Sequence, residues 1–222
     1  MFKRLLMLGL ASLGLMIAAG CASTPGTDAT STTPAVLPGP WPPPSTEQHP
    51  RVLIETSLGD ITLQLDHAAA PISVDNFVGY VRSGRYDNTV FHRVVPGFVI
   101  QGGGYDSQLQ DHPRHAQIKL EANNGLSNLR GTVAMARDEA PDTADCEFYI
   151  NLVDNLKLNP HPENPENPAR KWGYAVFGSV VSGMDVVDRI AAVPTHTAPN
   201  GMADAPVETV LIRKVTLLPP GS

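Results

Sequence analysis

The chain has 222 residues, 42% of them hydrophobic and only 6% aromatic, with a formal net charge of −6. That length suits one domain with appendages, and the apolar fraction is enough for a proper core in which each buried aromatic matters. The acidic balance argues against a general nucleic-acid binder.

The first twenty residues read as a targeting segment. Lys3 and Arg4 form a positive start, Leu5 to Ala19 is a short apolar run, and Ala18, Ala19 and Gly20 precede Cys21. The run is shorter than the ~20 apolar residues of a comfortable membrane span. "AAGC" resembles the lipobox of bacterial lipoproteins, in which the cysteine is acylated and becomes the new N-terminus. That resemblance implies a lipid on Cys21 and a place in the cell envelope facing the periplasm. Ala22 after the cysteine resembles the outer-membrane sorting pattern of Gram-negative bacteria. The alternative is plain secretion with a coincidental cysteine. The chain has two cysteines. If Cys21 carries lipid, Cys146 has no intramolecular partner, and its strand-like setting reads as a small buried hydrophobe.

Residues 22–49 are rich in Pro, Ser, Thr and Gly without apolar periodicity, as a disordered or extended tether would be. The expected organisation is therefore a signal peptide over 1–20, the lipidated cysteine and tether over 21–49, a folded domain over 50–218 and a tail over 219–222.

"RVLIETSLGDITLQL" predicts a hairpin, with Val52, Ile54 and Thr56 alternating before a Leu58-Gly59 turn and Ile61, Leu63 and Leu65 after it. Val74, Phe77, Val78 and Val81 share one face of a helix entered at Pro71 and left at Gly84. Further strands are expected at 91–95, 98–102, 132–137, 147–152, 175–181 and 208–217. A second helix fits "MDVVDRIAAV", where Val186, Val187 and Ile190 share a face. Many short strands with two helices predict a mainly β fold, a closed antiparallel barrel capped by helices. The Pro/Asn/Glu-rich stretch 159–171 reads as an exposed loop. "DHPRH" offers Asp111, His112 and His115, but its flanks fit an exposed loop better than a metal-ligand set.

"VFHRVVPGFVIQGGG", residues 90–104, raises the chemical question. Strand alternation puts Phe91, Arg93 and Val95 on one side, His92 and Val94 on the other, and Val99 with Gln101. Phe98 falls on the opposite parity unless it belongs to the Pro96-Gly97 bend. The three glycines let the backbone turn sharply or lie close to a neighbour. An arginine keeps its charge, so it must reach water, pair with a carboxylate, or face a site that wants a donor. An edge arginine with a packed stem and a solvated head is the simplest alternative. A phosphate loop is weak here, since no Lys-Ser/Thr follows the glycines.

This stretch resembles the core signature of the cyclophilins, the peptidyl-prolyl cis-trans isomerases. The likeness continues through "EANNGLSNLRGTVAMAR", "EFYINLVDN" and "WGYAVFGSVVSGMDVVDRI", and "GDITLQLDHAAAPISVDNFVGYVRSGRYDNTVFHRV" resembles the bacterial branch. It covers nearly all of residues 51–217 in order. The resemblance implies a closed eight-stranded antiparallel barrel capped by two α-helices. It also implies rotation of X–Pro bonds in proline-containing polypeptides, with no metal or cofactor, by a chain expected to act as a monomer.

Residue by residue, the resemblance implies catalytic roles for Arg93, Phe98 and Gln101. Phe98 matches the residue under the substrate proline, and Gln101 the one that binds peptide backbone and helps hold the arginine. Ala136 and Arg137 match a backbone-binding edge, Tyr149 a pocket phenylalanine and Leu158 the pocket rim. His92 matches the histidine beside the arginine. Four positions depart from the family. Val99 replaces a common methionine. Glu147 replaces a common glutamine and adds a charge that could pair with Arg137 or Arg93. Lys157 stands where many members carry an aromatic that contacts cyclosporin, and Tyr174 where some carry histidine. Cyclosporin affinity and substrate preference therefore do not carry over with the family. Two other functions fit the sequence: a proline-peptide-binding or chaperone-like module with little turnover, and a structural lipoprotein of the envelope.

Overall fold

A computed structural model describes residues 43–163 and 171–220. The signal peptide, Cys21, most of the tether and the middle of the 159–171 loop lie outside the described residues, as do Gly221 and Ser222.

Strands β1 (Arg51–Thr56) and β2 (Gly59–Leu65) form the expected hairpin, in register from Arg51 opposite Gln64 to Thr56 opposite Gly59. The Thr56 hydroxyl closes the turn by donating to the Gly59 carbonyl at 2.6 Å and accepting from the Leu58 N–H at 3.0 Å. Helix α1 (Pro71–Arg82) starts with proline in its first turn, where a missing N–H costs nothing, and buries Val74, Phe77, Val78 and Val81. Helix α2 (Met184–Ala191) buries Val186, Val187 and Ile190.

The other strands of the main sheet are β3 (Thr89–Val90), β4 (Arg93–Val95), β5 (Val99–Gly102), β6 (Thr132–Met135), β7 (Phe148–Asn151), β8 (Val176–Ser182) and β11 (Leu211–Leu217). They lie in the order β3-β11-β1-β2-β8-β6-β7-β5-β4, and every pairing is antiparallel. The two ends of this order, β3 and β4, are consecutive parts of one chain segment. Val90 N–H donates to the Tyr105 carbonyl at 3.0 Å on one side, and Phe91 N–H to the Val210 carbonyl at 3.0 Å on the other. The sheet therefore closes on itself, and counting β3 with β4 as one bent strand makes the expected eight-stranded barrel.

The bend corrects one expectation. Phe91 and His92 lie between β3 and β4, so strand alternation fails there. Phe91 turns inward with Val94 into the main core instead of sharing a side with Arg93. That core fills the barrel around Phe77, whose ring centroid lies 5.0 Å from Tyr86, 5.2 Å from Phe177 and 5.4 Å from Phe148. A short ribbon, β9 (Thr195–His196) with β10 (Ala205–Pro206), was not expected. Two-residue strands carry no periodicity to read.

Candidate active site

The main-sheet register builds a row of side chains across the outer wall of the barrel. Arg93 on β4 faces Gln101 on β5, Gln101 faces Tyr149 on β7, Tyr149 faces Ala134 on β6, and Ala134 faces Val176 on β8. The neighbouring row, Val94, Ile100, Ile150 and Val133, points into the barrel. This is the period-two alternation of a pleated sheet.

Outer-wall residues are normally wet, yet here they are dry. Val99, Ala134, Ala136, Tyr149 and Val176 form a second buried apolar cluster, against which Phe98, Leu126, Leu158 and Tyr174 pack half-buried. Phe98 joins it because it belongs to the 96–98 turn and so escapes strand parity. The result is an apolar hollow with a polar edge. Phe98, Val99, Ala136, Tyr149, Leu158 and Tyr174 are the lining residues that the sequence points to, and Leu126, Ala134 and Val176 are lining residues that it does not. Ala134 and Val176 follow from the register with Tyr149, which no single strand reveals.

The polar edge is a chain of directed bonds. Arg93 Nη1 donates to Gln101 Oε1 at 3.3 Å, and Arg93 Nε lies 3.6 Å from Asp204 Oδ2. The Arg93 side chain is 35% exposed, so the guanidinium is neither sealed into a closed ion pair nor on the far side of the sheet. Its Nη2 group makes no bond to the described residues. Gln101 Nε2 donates to Glu147 Oε2 at 2.6 Å. A carboxylate only accepts, so the amide has one orientation, with its oxygen toward Arg93.

Glu147 is a correction. It pairs with neither Arg93 nor Arg137 but with Arg114, whose Nη2 lies 2.9 Å from Oε1. The loop of the "DHPRH" motif folds over this edge. There Arg114 also bonds both oxygens of Asp145 at 3.0 Å and Asp111 at 3.0 Å. Burial alone would raise the Glu147 carboxyl. The bond and charge of His92, with the Arg114 guanidinium, outweigh it and hold Glu147 well below the ordinary carboxylate range.

His92 stands behind this edge rather than in the hollow. Its Nε2 is 3.5 Å from Glu147, and its ring meets Tyr105 edge-on at 4.6 Å. Arg137 braces the opposite side. It donates to the carbonyls of Gly173, Asp138 and Glu139 at 2.8, 2.7 and 3.0 Å, with its guanidinium 4.6 Å over the Tyr174 ring. Burial pushes the Tyr149 phenol well above its ordinary value, so it stays protonated and donates to Asn128 Oδ1 at 2.7 Å. Lys157 Nζ lies 4.6 Å over the Phe98 ring. Asn128, Arg114 and Asp204 were not foreseen as parts of the site. Arg114 lies 33 residues from Glu147 and Asp204 lies far along the chain from Arg93, and spacing carries no such signal.

The arrangement offers a dry seat for a small apolar ring beside a fixed, still-accessible cation, on a closed antiparallel barrel. That combination defines a class of site: a dry seat with a directed cationic donor on the outer wall of a closed antiparallel barrel. Residues 51–217 match the family model for cyclophilin type peptidyl-prolyl cis-trans isomerases, and the chain belongs to that family. It is 48% identical over 167 residues to peptidyl-prolyl cis-trans isomerase B of Escherichia coli, covering 75% of this chain and 98% of that one. It is 44% identical over 167 residues to peptidyl-prolyl cis-trans isomerase A of Dickeya dadantii, covering 75% and 84%. Among solved structures, a cyclophilin type isomerase of Cryptosporidium parvum shares the fold, with a TM-score of 0.63 at 23% identity over 77% of this chain and 98% of that one. The protein is thus a peptidyl-prolyl cis-trans isomerase.

Proposed function

We propose that the chain rotates X–Pro bonds by seating the proline ring on Phe98 within the Val99, Tyr149 and Leu158 hollow, with Arg93 at the imide nitrogen. The uncatalysed barrier is ~18–20 kcal/mol because rotation breaks amide resonance. No covalent bond is cleaved, so the catalyst has only to bind the twisted amide better than either planar form. As the bond twists, the nitrogen regains its lone pair and becomes an acceptor for Arg93. A hydrogen bond from a charged donor contributes ~1.5–3 kcal/mol. An acceleration of ~10⁵ needs ~7 kcal/mol at 1.36 kcal/mol per decade. The remainder falls to preorganised surroundings: a dry seat that holds the ring, and dipoles already aimed.

The observation that carries this reading is the Arg93–Gln101–Glu147 chain beside the apolar hollow. Gln101 Oε1 accepts from Nη1 and Asp204 lies beside Nε, so the guanidinium is held at two of its three nitrogens and Nη2 remains for the client. Lysine lacks the planar fork that does both. Arg93→Ala and Arg93→Lys are each expected to lower kcat/KM on a proline peptide by at least about tenfold, the scale of one charged hydrogen bond, while keeping the wild-type circular dichroism spectrum. Near-normal turnover in Arg93→Ala would remove Arg93 from the mechanism.

The finer setting rests on the sequence. We infer that Cys21 carries a lipid and that the tether holds the isomerase at the cell envelope facing the periplasm, with the outer membrane as its site if the cell is Gram-negative. Its clients there are exported polypeptides awaiting X–Pro isomerisation. A palmitate analogue fed to cells should label the wild-type chain and not Cys21→Ser; equal labelling of both would discard the anchor.

A further inference from the structure

Among the described residues, three arginines at the polar edges of the site are tied down. Arg93 meets Gln101 and Asp204. Arg114 meets Glu147, Asp145 and Asp111. Arg137 is spent on the carbonyls of Gly173, Asp138 and Glu139. Lys157 differs. It is exposed and sits in the 3₁₀ turn Leu156–Leu158, between exposed Leu156 and the rim residue Leu158. Its ammonium rests 4.6 Å over the Phe98 ring, and no carboxylate among the described residues pairs with it. The nearest acids along the chain are engaged elsewhere. Asp154 accepts the Arg130 backbone N–H at 2.8 Å, and Glu163 pairs with His161 at 3.0 Å.

A cation on an aromatic face is attracted by the ring quadrupole but not neutralised by it. Here that face belongs to the residue assigned to the client's proline. Whether the proline takes the other face or displaces the ammonium, the positive charge stays within one or two residues of the bound proline. A lysine stem is flexible, so the head can follow an acid placed there. We propose that Lys157 is a specificity-determining residue that selects clients carrying Asp or Glu close to the isomerised proline. The inference rests on the isomerase assignment of the same hollow and adds the class of polypeptide it prefers.

The test uses the full chain and matched short peptides, each with one X–Pro bond. Each peptide carries Glu, Gln or Lys at the second residue before the proline or at the residue after it. Rates come from NMR exchange spectroscopy, which needs no coupling protease with its own charge preference. Wild type should favour a Glu peptide over its Gln counterpart by about two- to fivefold in kcat/KM at low ionic strength, the scale of an exposed ion pair. The preference should lie in KM and shrink toward unity in about 0.5 M salt, where the screening length is a few ångströms. Taken as a ratio within each variant, it should vanish in Lys157→Gln and invert in Lys157→Glu, which should favour the Lys peptide. A wild-type ratio of one at both positions, or a Glu preference retained in Lys157→Gln, overturns the proposal. Failure of the isomerase assignment would look different, since the Gln peptides would then show no acceleration either.

Discussion

Glu147 holds a charge in a place that burial makes hostile to charge, and it does so only because its donors converge. Gln101 Nε2, Arg114 Nη2 and His92 Nε2 lie 2.6, 2.9 and 3.5 Å from its oxygens. Its carboxyl is held well below the ordinary range in the folded protein. A depressed folded-state value means that the unfolded chain takes up the proton first. The stabilisation is therefore fully present above the unfolded value of about 4.3 and is lost as pH falls through it toward the lower folded value. Glu147→Gln should cost about 1–3 kcal/mol at neutral pH, the worth of hydrogen bonds to a charged group. Arg114 keeps Asp145 and Asp111, which limits the loss. Urea unfolding from pH 7 to pH 3 should show the gap between wild type and variant closing below about pH 4.3. A constant gap across that range would mean that Glu147 is not ionised in the fold.

Elements were legible in proportion to their local pattern. The β1–β2 hairpin and both helices follow from alternation and from the i, i+3, i+4 spacing, because each buries one face against one neighbour. The β3–β4 segment defeated that logic at Phe91, since a strand serving both ends of a closing sheet must bend, and parity does not survive a bend. The glycines at 102–104 were legible as close approach, and the approach is specific. A side-chain carbon on Gly103, where φ is +89°, would lie 2.7 Å from Tyr86. On Gly104 it would lie 2.6 Å from Glu147. Gly104 thereby admits to the wall the carboxylate that orients Gln101. The apolar half of the site could be read in advance, because its residues sit inside recognisable strands. The ionic half could not. Arg114 and Asp204 come from irregular segments whose path is set by the whole barrel, and Glu147 was matched with the wrong cation for that reason.

The whole molecule extends beyond the barrel at its N-terminal side. Residues 43–49, which composition assigns to the tether, are bonded to the domain. Ser45 N–H donates to Asp75 Oδ1 at 2.8 Å, an oxygen that also lies 3.0 Å from His67 Nε2. The Gln48 carbonyl accepts the His67 N–H at 2.9 Å, and the Pro43 carbonyl accepts from Arg82 Nη1 at 2.7 Å. Composition misleads here because a strap needs few apolar contacts when its carbonyls and amides find partners on α1 and on the turn before it. The prolines at 43, 44 and 50 lower the entropy lost on ordering it. Deleting 22–49 should then destabilise the domain by about 1–2 kcal/mol relative to deleting 22–42, since three hydrogen bonds at ~0.5–1.5 kcal/mol each are offset by ordering the strap. In a domain of this size that lowers Tm by about 2–8 °C. None of these bonds reaches the Arg93–Val176 row, so kcat/KM on a proline peptide should match in the two deletions. Equal Tm values would show that the strap lies on the domain without supporting it. A fall in kcat/KM beyond that of the shorter deletion, measured well below Tm, would show that the strap reaches the active surface.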